Sequence, residues 1–182
     1  MEGRRPKSSF EKVEPIHALG FFNLLRDGIV NQIVIFDYYD PGEYYWSKFQ
    51  SHELEDELEI ISENMQEFLD EEEVKINGEE VHPCVKEVDL IFRRKKYPSI
   101  IFFIEFAGIL RSGLNTYENR YGETVTEYDY EFYWIMPPDF RIREVLVDGD
   151  YNISGNILMV WVSKGSLIKG YEKIVFEVPR GI

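Results

Sequence analysis

Apolar and polar residues alternate along residues 123–136. Thr124, Thr126, Tyr128, Tyr130, Phe132, Trp134 and Met136 share one parity, and Glu123, Val125, Glu127, Asp129, Glu131, Tyr133 and Ile135 share the other. A period of two is that of a strand with one side buried. The pattern therefore predicts a strand whose aromatic side packs on a core and whose acidic side meets solvent. Further strands are expected at roughly 85–93, 98–107, 114–121, 140–147, 156–163 and 171–178. The turn-forming stretches "KKYP", "RSG", "YG", "PP", "DGDYNISGN" and "SKGSLIKG" separate them. "VKINGEEV" reads as a hairpin about Asn77-Gly78, and "SIIFFIEFA" is apolar on both sides, as in a central strand.

One segment has helical periodicity. Leu54, Leu58, Ile61, Met65 and Phe68 step by four and three and line one face of a helix over about 52–72. Ser51 suits its N-cap, and Glu53, Glu55 and Asp56 suit the positive end of its macrodipole. Its other end, "DEEE", has the wrong sign for a helix C-terminus. Upstream, Pro15 can open a helix that Ile16, Leu19, Phe22, Leu25 and Ile29 continue at near-helical spacing, and "RDG" at 26–28 offers a hairpin instead. The helix, followed by a strand "QIVIFDYY", is the favoured reading.

The predicted fold class is α+β. A flexible tail, 1–9, precedes a single domain, 10–182, of which 10–73 is an α/β portion holding the acidic helix and 74–182 is rich in strands. The latter two-thirds form a mostly antiparallel β-sandwich or open barrel, with the one long helix packed against it. At 182 residues such a domain can bury a sizeable core.

Charge narrows the partners. The net charge is −14, and the stretch from Glu53 to Glu73 holds eleven acidic residues and no basic one. A surface of that sign disfavours nucleic acid and anionic lipid, which require clustered Lys and Arg. No apolar run reaches the roughly 18 residues of a membrane span, and "MEGRRPKSS" lacks the apolar core of a signal peptide. Cys84 is the only cysteine, which excludes an internal disulfide and a multi-cysteine metal site. A cytoplasmic location is the expectation. Few glutamines among many Glu, Ile and Tyr hint at a thermophilic source.

Candidate chemistry is sparse. Glu105 sits among Phe and Ile in "IIFFIEFAG"; buried there, its carboxylate needs a partner such as Arg94, Arg111 or Arg120, or a shifted pKa that would make it the candidate catalytic group. "DGDYNIS" spaces Asp148, Asp150 and Asn152 as in some calcium loops, but Ile153 and Met159 stand where an EF-hand has Gly and Glu. Glu127, Asp129 and Glu131 read as a solvated row rather than a catalytic pair, and His82 with Cys84 lacks the signs of an activated thiolate. No phosphate loop, nucleophile elbow or dinucleotide fingerprint is present.

Three functions from different classes follow. The leading one is a non-enzymatic interaction module that docks a basic protein through Glu55, Glu59, Glu63 and Glu67, whose like charges at i, i+4 oppose helix stability. The second is a small-ligand or carbohydrate binder walled by Tyr128, Tyr130 and Trp134. The third is an acidic-site hydrolase using Glu105 or a calcium-type ion at 148–154. No cofactor is expected under the first two.

Overall fold

Two inward positions of the first strand carry small residues, and they conceal its alternation. In the computed structural model, which describes residues 12–180, the segment expected to be a helix is a long hairpin. Strands β1 (Glu14–Leu24) and β2 (Ile29–Tyr39) are antiparallel about the "RDG" turn. Ala18, Gly20, Phe22 and Leu24 face inward, so the apolar period reads as weak where Ala and Gly stand. The expected tail, 1–9, lies outside the described residues.

The acidic region holds two helices, α1 (Tyr44–Ser51) and α2 (Leu54–Asp70). Ser51 therefore ends α1 instead of capping the long helix. His52 closes α1 in the left-handed region, at φ 62°, and its N–H points at the carbonyls of Lys48 and Phe49. Lys48 reaches Glu53 at 3.0 Å, and the Tyr44 hydroxyl donates to Glu57 at 2.9 Å, which ties the two helices together. Leu54, Leu58, Ile61 and Met65 turn inward as expected. Phe68 does not; it is 67% exposed, and Leu69 takes the inward place one full turn after Met65.

The rest of the chain is strand: β3 (Glu73–Ile76), β4 (Glu79–Val81), β5 (Cys84–Arg94), β6 (Tyr97–Ala107), β7 (Gly113–Arg120), β8 (Thr124–Val125), β9 (Asp129–Ile135), β10 (Arg141–Leu146), β11 (Asp150–Ser154), β12 (Ile157–Val162), β13 (Leu167–Ile168) and β14 (Tyr171–Val178). Asn77 and Gly78, at φ 54° and 81°, make the expected β3–β4 turn. The continuous strand expected over 123–136 is broken at Thr126–Tyr128. "DYNIS", expected in a loop, is the edge strand β11.

Three sheets result, in the orders β11-β12-β9-β1-β2-β6-β5, β10-β14-β7-β3-β4 and β13-β8. Among the described pairings only β1–β9 is parallel. The fold is thus α+β and mostly strand, with two helices and open sheets.

The seven-stranded sheet has one covered face, and two different elements cover it. Over β12, β9 and β1, and over the ends of β2 and β6 at Val30 and Phe106, lies the five-stranded sheet; Trp134, Leu158 and Val160 share one core with Ile174, Phe176 and Val74. Over β2, β6 and β5 lies α2, whose Leu58, Ile61, Met65 and Leu69 pack on Val34, Phe36, Ile100, Phe102 and Ile104. The opposite face carries Tyr133, Phe21, Ile33 and Phe103 in one cross-strand row, half-buried or exposed.

Gly28 anchors the turn of the first hairpin. It sits at φ +89°, and the Gly108 N–H donates to its carbonyl at 3.1 Å; a Cβ at Gly28 would overlap the Gly108 carbonyl. Gly78 also has a positive φ, but nothing lies within reach of a Cβ there. Gly78→Ala should cost about 1 kcal/mol, the strain of the left-handed backbone alone. Gly28→Ala should cost well above that, about 3 kcal/mol or more, because backbone must also move. Urea unfolding of both variants checks the ordering.

Candidate functional site

Where the helix cover meets the sheet cover, the seven-stranded sheet presents its smallest residues. Ala18 and Gly20 on β1 lie beside Tyr130 and Phe132 on β9 and beside Phe36 and Val34 on β2. Small side chains on the floor leave space beneath the seam, and a partly open cavity of about 290 Å³ fills it. Met65 and Leu69 of α2 close one side. Tyr117, Asn119 and Tyr121 from β7 and the chain after it, with Val74 and Glu172, close the other.

The polar groups of this wall belong to one cross-strand row. Val74, Asn119 and Glu172 are register partners on β3, β7 and β14. Glu172 has the parity of Ile174, Phe176 and Val178, so it points where those residues point, toward the core. Glu72 precedes β3 on the inward parity of Val74 and Ile76, where the chain leaves the helix cover and joins the sheet cover. It accepts a 2.9 Å hydrogen bond from Asn119 Nδ2, and Glu172 accepts one of 2.8 Å from the Tyr121 hydroxyl. Asn119 is 8% exposed, and its carbonyl oxygen Oδ1 has no hydrogen-bond partner.

Two carboxyls in an apolar cavity are electrostatically strained. Burial pushes Glu172 up to about 7, against the Tyr121 hydrogen bond, and the charges of Glu72 and Asp148 add to the rise. Burial also raises Glu72, partly offset by Asn119. The hydroxyls of Tyr117, Tyr121 and Tyr130 are raised too, by burial first and by Glu172 next. No Lys, Arg or His is among the described residues that line the cavity.

The residues singled out by sequence are scattered. Tyr128 and Tyr130 do line the cavity, and with Tyr121 they also line a second one of about 270 Å³ bounded by Thr124, Thr126 and Ile168. Trp134 does not reach it. It is 1% exposed, stacked on Phe22 at 4.7 Å, and belongs to the core. Phe132 and Met136 are buried as the alternation requires.

Glu105 is not the buried carboxylate expected. It lies on the open face of β6 with its side chain 44% exposed, and its partner is Lys86 at 3.5 Å rather than an arginine. Arg120 instead lies 3.6 Å from Glu73. Glu55, Glu59, Glu63 and Glu67 all stand exposed on the outer side of α2, in no ion pair with a described residue. Asp148 accepts the Lys169 N–H at 2.6 Å, while Asp150 and Asn152 are exposed on β11. Among the described residues no three His, Cys, Asp or Glu side chains gather closely enough to hold a metal ion. In the acidic row, Glu131 bonds His17 at 2.7 Å and the exposed Asp129 accepts the Lys164 N–H, while Glu127 is exposed without a hydrogen bond to a described residue. Cys84 is exposed and rests against the Val85 carbonyl. Arg93 and Arg94 line a further depression of about 350 Å³, where Arg93 lies 3.7 Å from Asp37.

Sequence reasoning missed Glu72, Asn119 and Glu172. Signals for two of them were present. Glu172 occupies a core parity in "YEKIVFEV", and Glu72 belongs to the "DEEE" run that opposes the helix macrodipole.

The raised Glu172 carboxyl predicts a pH dependence. Between about pH 4.5 and about 7 the folded chain retains a proton that the unfolded chain releases, so stability falls as pH rises through that window. Glu172→Gln removes the fall. The variant should match the parent near pH 4 and exceed it at pH 8, by at most about 3 kcal/mol and by less in proportion to the water reaching the side chain. Urea melts at pH 4, 6 and 8 measure it; parallel profiles for the two proteins would refute the assignment.

No protein-family model matches the sequence, and no curated protein matches it. Among solved structures, the chain is similar to the folded domain of the Mycobacterium tuberculosis LppM protein, with a TM-score of 0.47 and 10% identity over 97% of this chain and 96% of that one. It is similar also to an M1 zinc metallopeptidase from Deinococcus radiodurans, with a TM-score of 0.36 and 7% identity over 90% of this chain. A putative protease from Parabacteroides distasonis follows, with a TM-score of 0.32 and 5% identity over 92% of this chain. The chain spans 42% and 40% of the lengths of those two. At these scores the site stands on its own geometry.

Proposed function

We propose that this chain is a binding protein whose seam cavity takes a small, mainly apolar molecule. The observation that carries the reading is the cavity of about 290 Å³ over Ala18 and Gly20, walled by aromatic residues and holding a few convergent polar groups. That combination is the usual anatomy of a small-molecule site. The aromatic wall anticipated at 121–134 supports the reading through Tyr121, Tyr128 and Tyr130.

2-Phenylethanol serves as a probe. Titrated into labelled protein and followed by amide chemical shifts, it should perturb residues 18–20, 119 and 130–132 and saturate in the millimolar range. Ala18→Leu fills the floor and should abolish the perturbation while leaving the melting temperature unchanged or higher. Absence of saturable shifts in the parent would refute the reading, as would equal shifts in the filled variant.

A second reading, docking of a basic protein by α2, is supported by a separate observation. Ile60 and Phe68 are 54% and 67% exposed on the helix that carries the unpaired Glu55, Glu59, Glu63 and Glu67. Apolar anchors among acidic residues resemble the core and rim of an interface. Replacing the four glutamates with Gln should raise stability by about 1 kcal/mol at low salt and less at high salt, since three like-charge i, i+4 pairs are relieved. It should also abolish low-salt binding of an oligolysine peptide, read by fluorescence anisotropy. Unchanged peptide binding would remove the helix from consideration.

A further inference from the structure

We propose that the molecule held in the seam cavity carries a protonated amine, seated between the carboxylates of Glu72 and Glu172 with the Asn119 carbonyl oxygen as a third acceptor. The proposal rests on the reading of the cavity as a ligand site and specifies its occupant.

The inference starts from what the polar wall lacks. Glu72 engages Asn119 Nδ2 with one oxygen, and Glu172 engages the Tyr121 hydroxyl with one, so each carboxylate keeps an oxygen unused by these bonds. Asn119 is more than nine-tenths buried, and its Oδ1 meets no donor. An orphaned buried acceptor is destabilising, and a guest that donates to it recovers that loss. Two free carboxylate oxygens and the enclosed Asn119 oxygen thus belong to residues of one wall, and no described lining residue supplies a positive charge to answer them.

The chemistry of the guest follows. An anion would meet two carboxyls and a carbonyl dipole, all repulsive. A neutral hydroxyl offers one donor to three acceptors. An alkylammonium offers three donors on a tetrahedral nitrogen together with the charge, and charge-assisted bonds are about twice as strong as neutral ones. The remaining walls are Tyr117, Tyr121, Tyr130 and Phe132, whose rings suit both the apolar body of such a molecule and the face of its cation. A bare divalent ion fits less well, because it would require oxygen ligands on sides where this cavity offers Leu69, Phe106 and Met65.

The charges that act on Glu172 have the same sign, while Lys75, Arg120 and Lys173 on β3, β7 and β14 stand at the other parity. Asp148 adds negative charge toward Glu172, and Tyr117, Tyr121 and Tyr130 are phenols held neutral by burial and by these carboxylates. Raising the pH through the titration of Glu172 should therefore strengthen amine binding while the amine stays protonated.

Isothermal titration at pH 8 with phenethylamine, 2-phenylethanol, phenylacetate and calcium chloride, each against the parent, Glu172→Gln and Glu72→Gln, tests it. Phenethylamine should bind the parent at least tenfold more tightly than 2-phenylethanol, and phenylacetate should not bind. Each Gln variant should reduce the amine-to-alcohol ratio toward one while still binding the alcohol, which shows that the cavity is intact. If the alcohol binds as well as the amine to the parent, the cation proposal fails and the cavity reading stands. If neither binds, both fail. Calcium binding that displaces the amine, or that occurs without any amine binding, would overturn the proposal in favour of a metal site.

Discussion

One sheet of seven strands must bury one face, and no single element of this chain is broad enough to cover it. Two covers of different geometry divide that face between them. The stripe of α2 lies over β5 and most of β2 and β6, and the five-stranded sheet lies over β12, β9, β1 and the ends of β2 and β6 at Val30 and Phe106. A helix stands about 10 Å from its sheet, as does a second sheet, but their edges are not shaped alike. Complementary packing therefore holds within each half and lapses at the junction. Ala18 and Gly20 lie under that junction and line the cavity, and a Cβ at Gly20 would meet the Cβ of Phe132 at 3.1 Å.

The same junction accounts for the position of the charges. The chain crosses from one cover to the other between Asp70, the end of α2, and Glu73, the start of β3. Glu72 lies in that crossing and so is delivered to the seam. Its carboxyl is poorly placed for helix stability, beside the negative end of the macrodipole, and poorly solvated as well. Asn119 and Glu172 come to it along the row that extends Val74 across β7 and β14. A row of inward positions that is apolar at Ile174 and Phe176 becomes polar where the cavity begins. Polarity at core parity beside a cavity is the arrangement expected of a site that selects its guest.

Much of this was legible. The alternation of 123–136 predicted that Phe132, Trp134 and Met136 would be buried, and they are, because a strand side with that many rings has nowhere else to go, although Thr124 on the same parity is exposed. Asn77-Gly78 specified its hairpin by backbone chemistry alone. Leu54, Leu58, Ile61 and Met65 marked the inner stripe of α2. The hairpin of β1 and β2 was hidden because Ala18 and Gly20 carry too little hydrophobic signal to display a period. Glu105 misled for a related reason: apolar neighbours on both sides suggested two buried faces, whereas the outer face of β6 stays open, with Phe103 38% exposed.

Local chemistry, then, determined the elements themselves. Period, turn residues and charge runs are short-range properties, and they gave most of the strands after residue 74, the inner stripe of α2 and the α+β class. Tertiary structure decided which strand neighbours which, that β1 pairs in parallel with β9, and that two covers meet above two small residues. It also brought Glu72, Asn119 and Glu172 together from three separate strands or their flanks. Sequence periodicity could not reveal that meeting, because it records which side of an element a residue occupies and not what the facing element leaves empty.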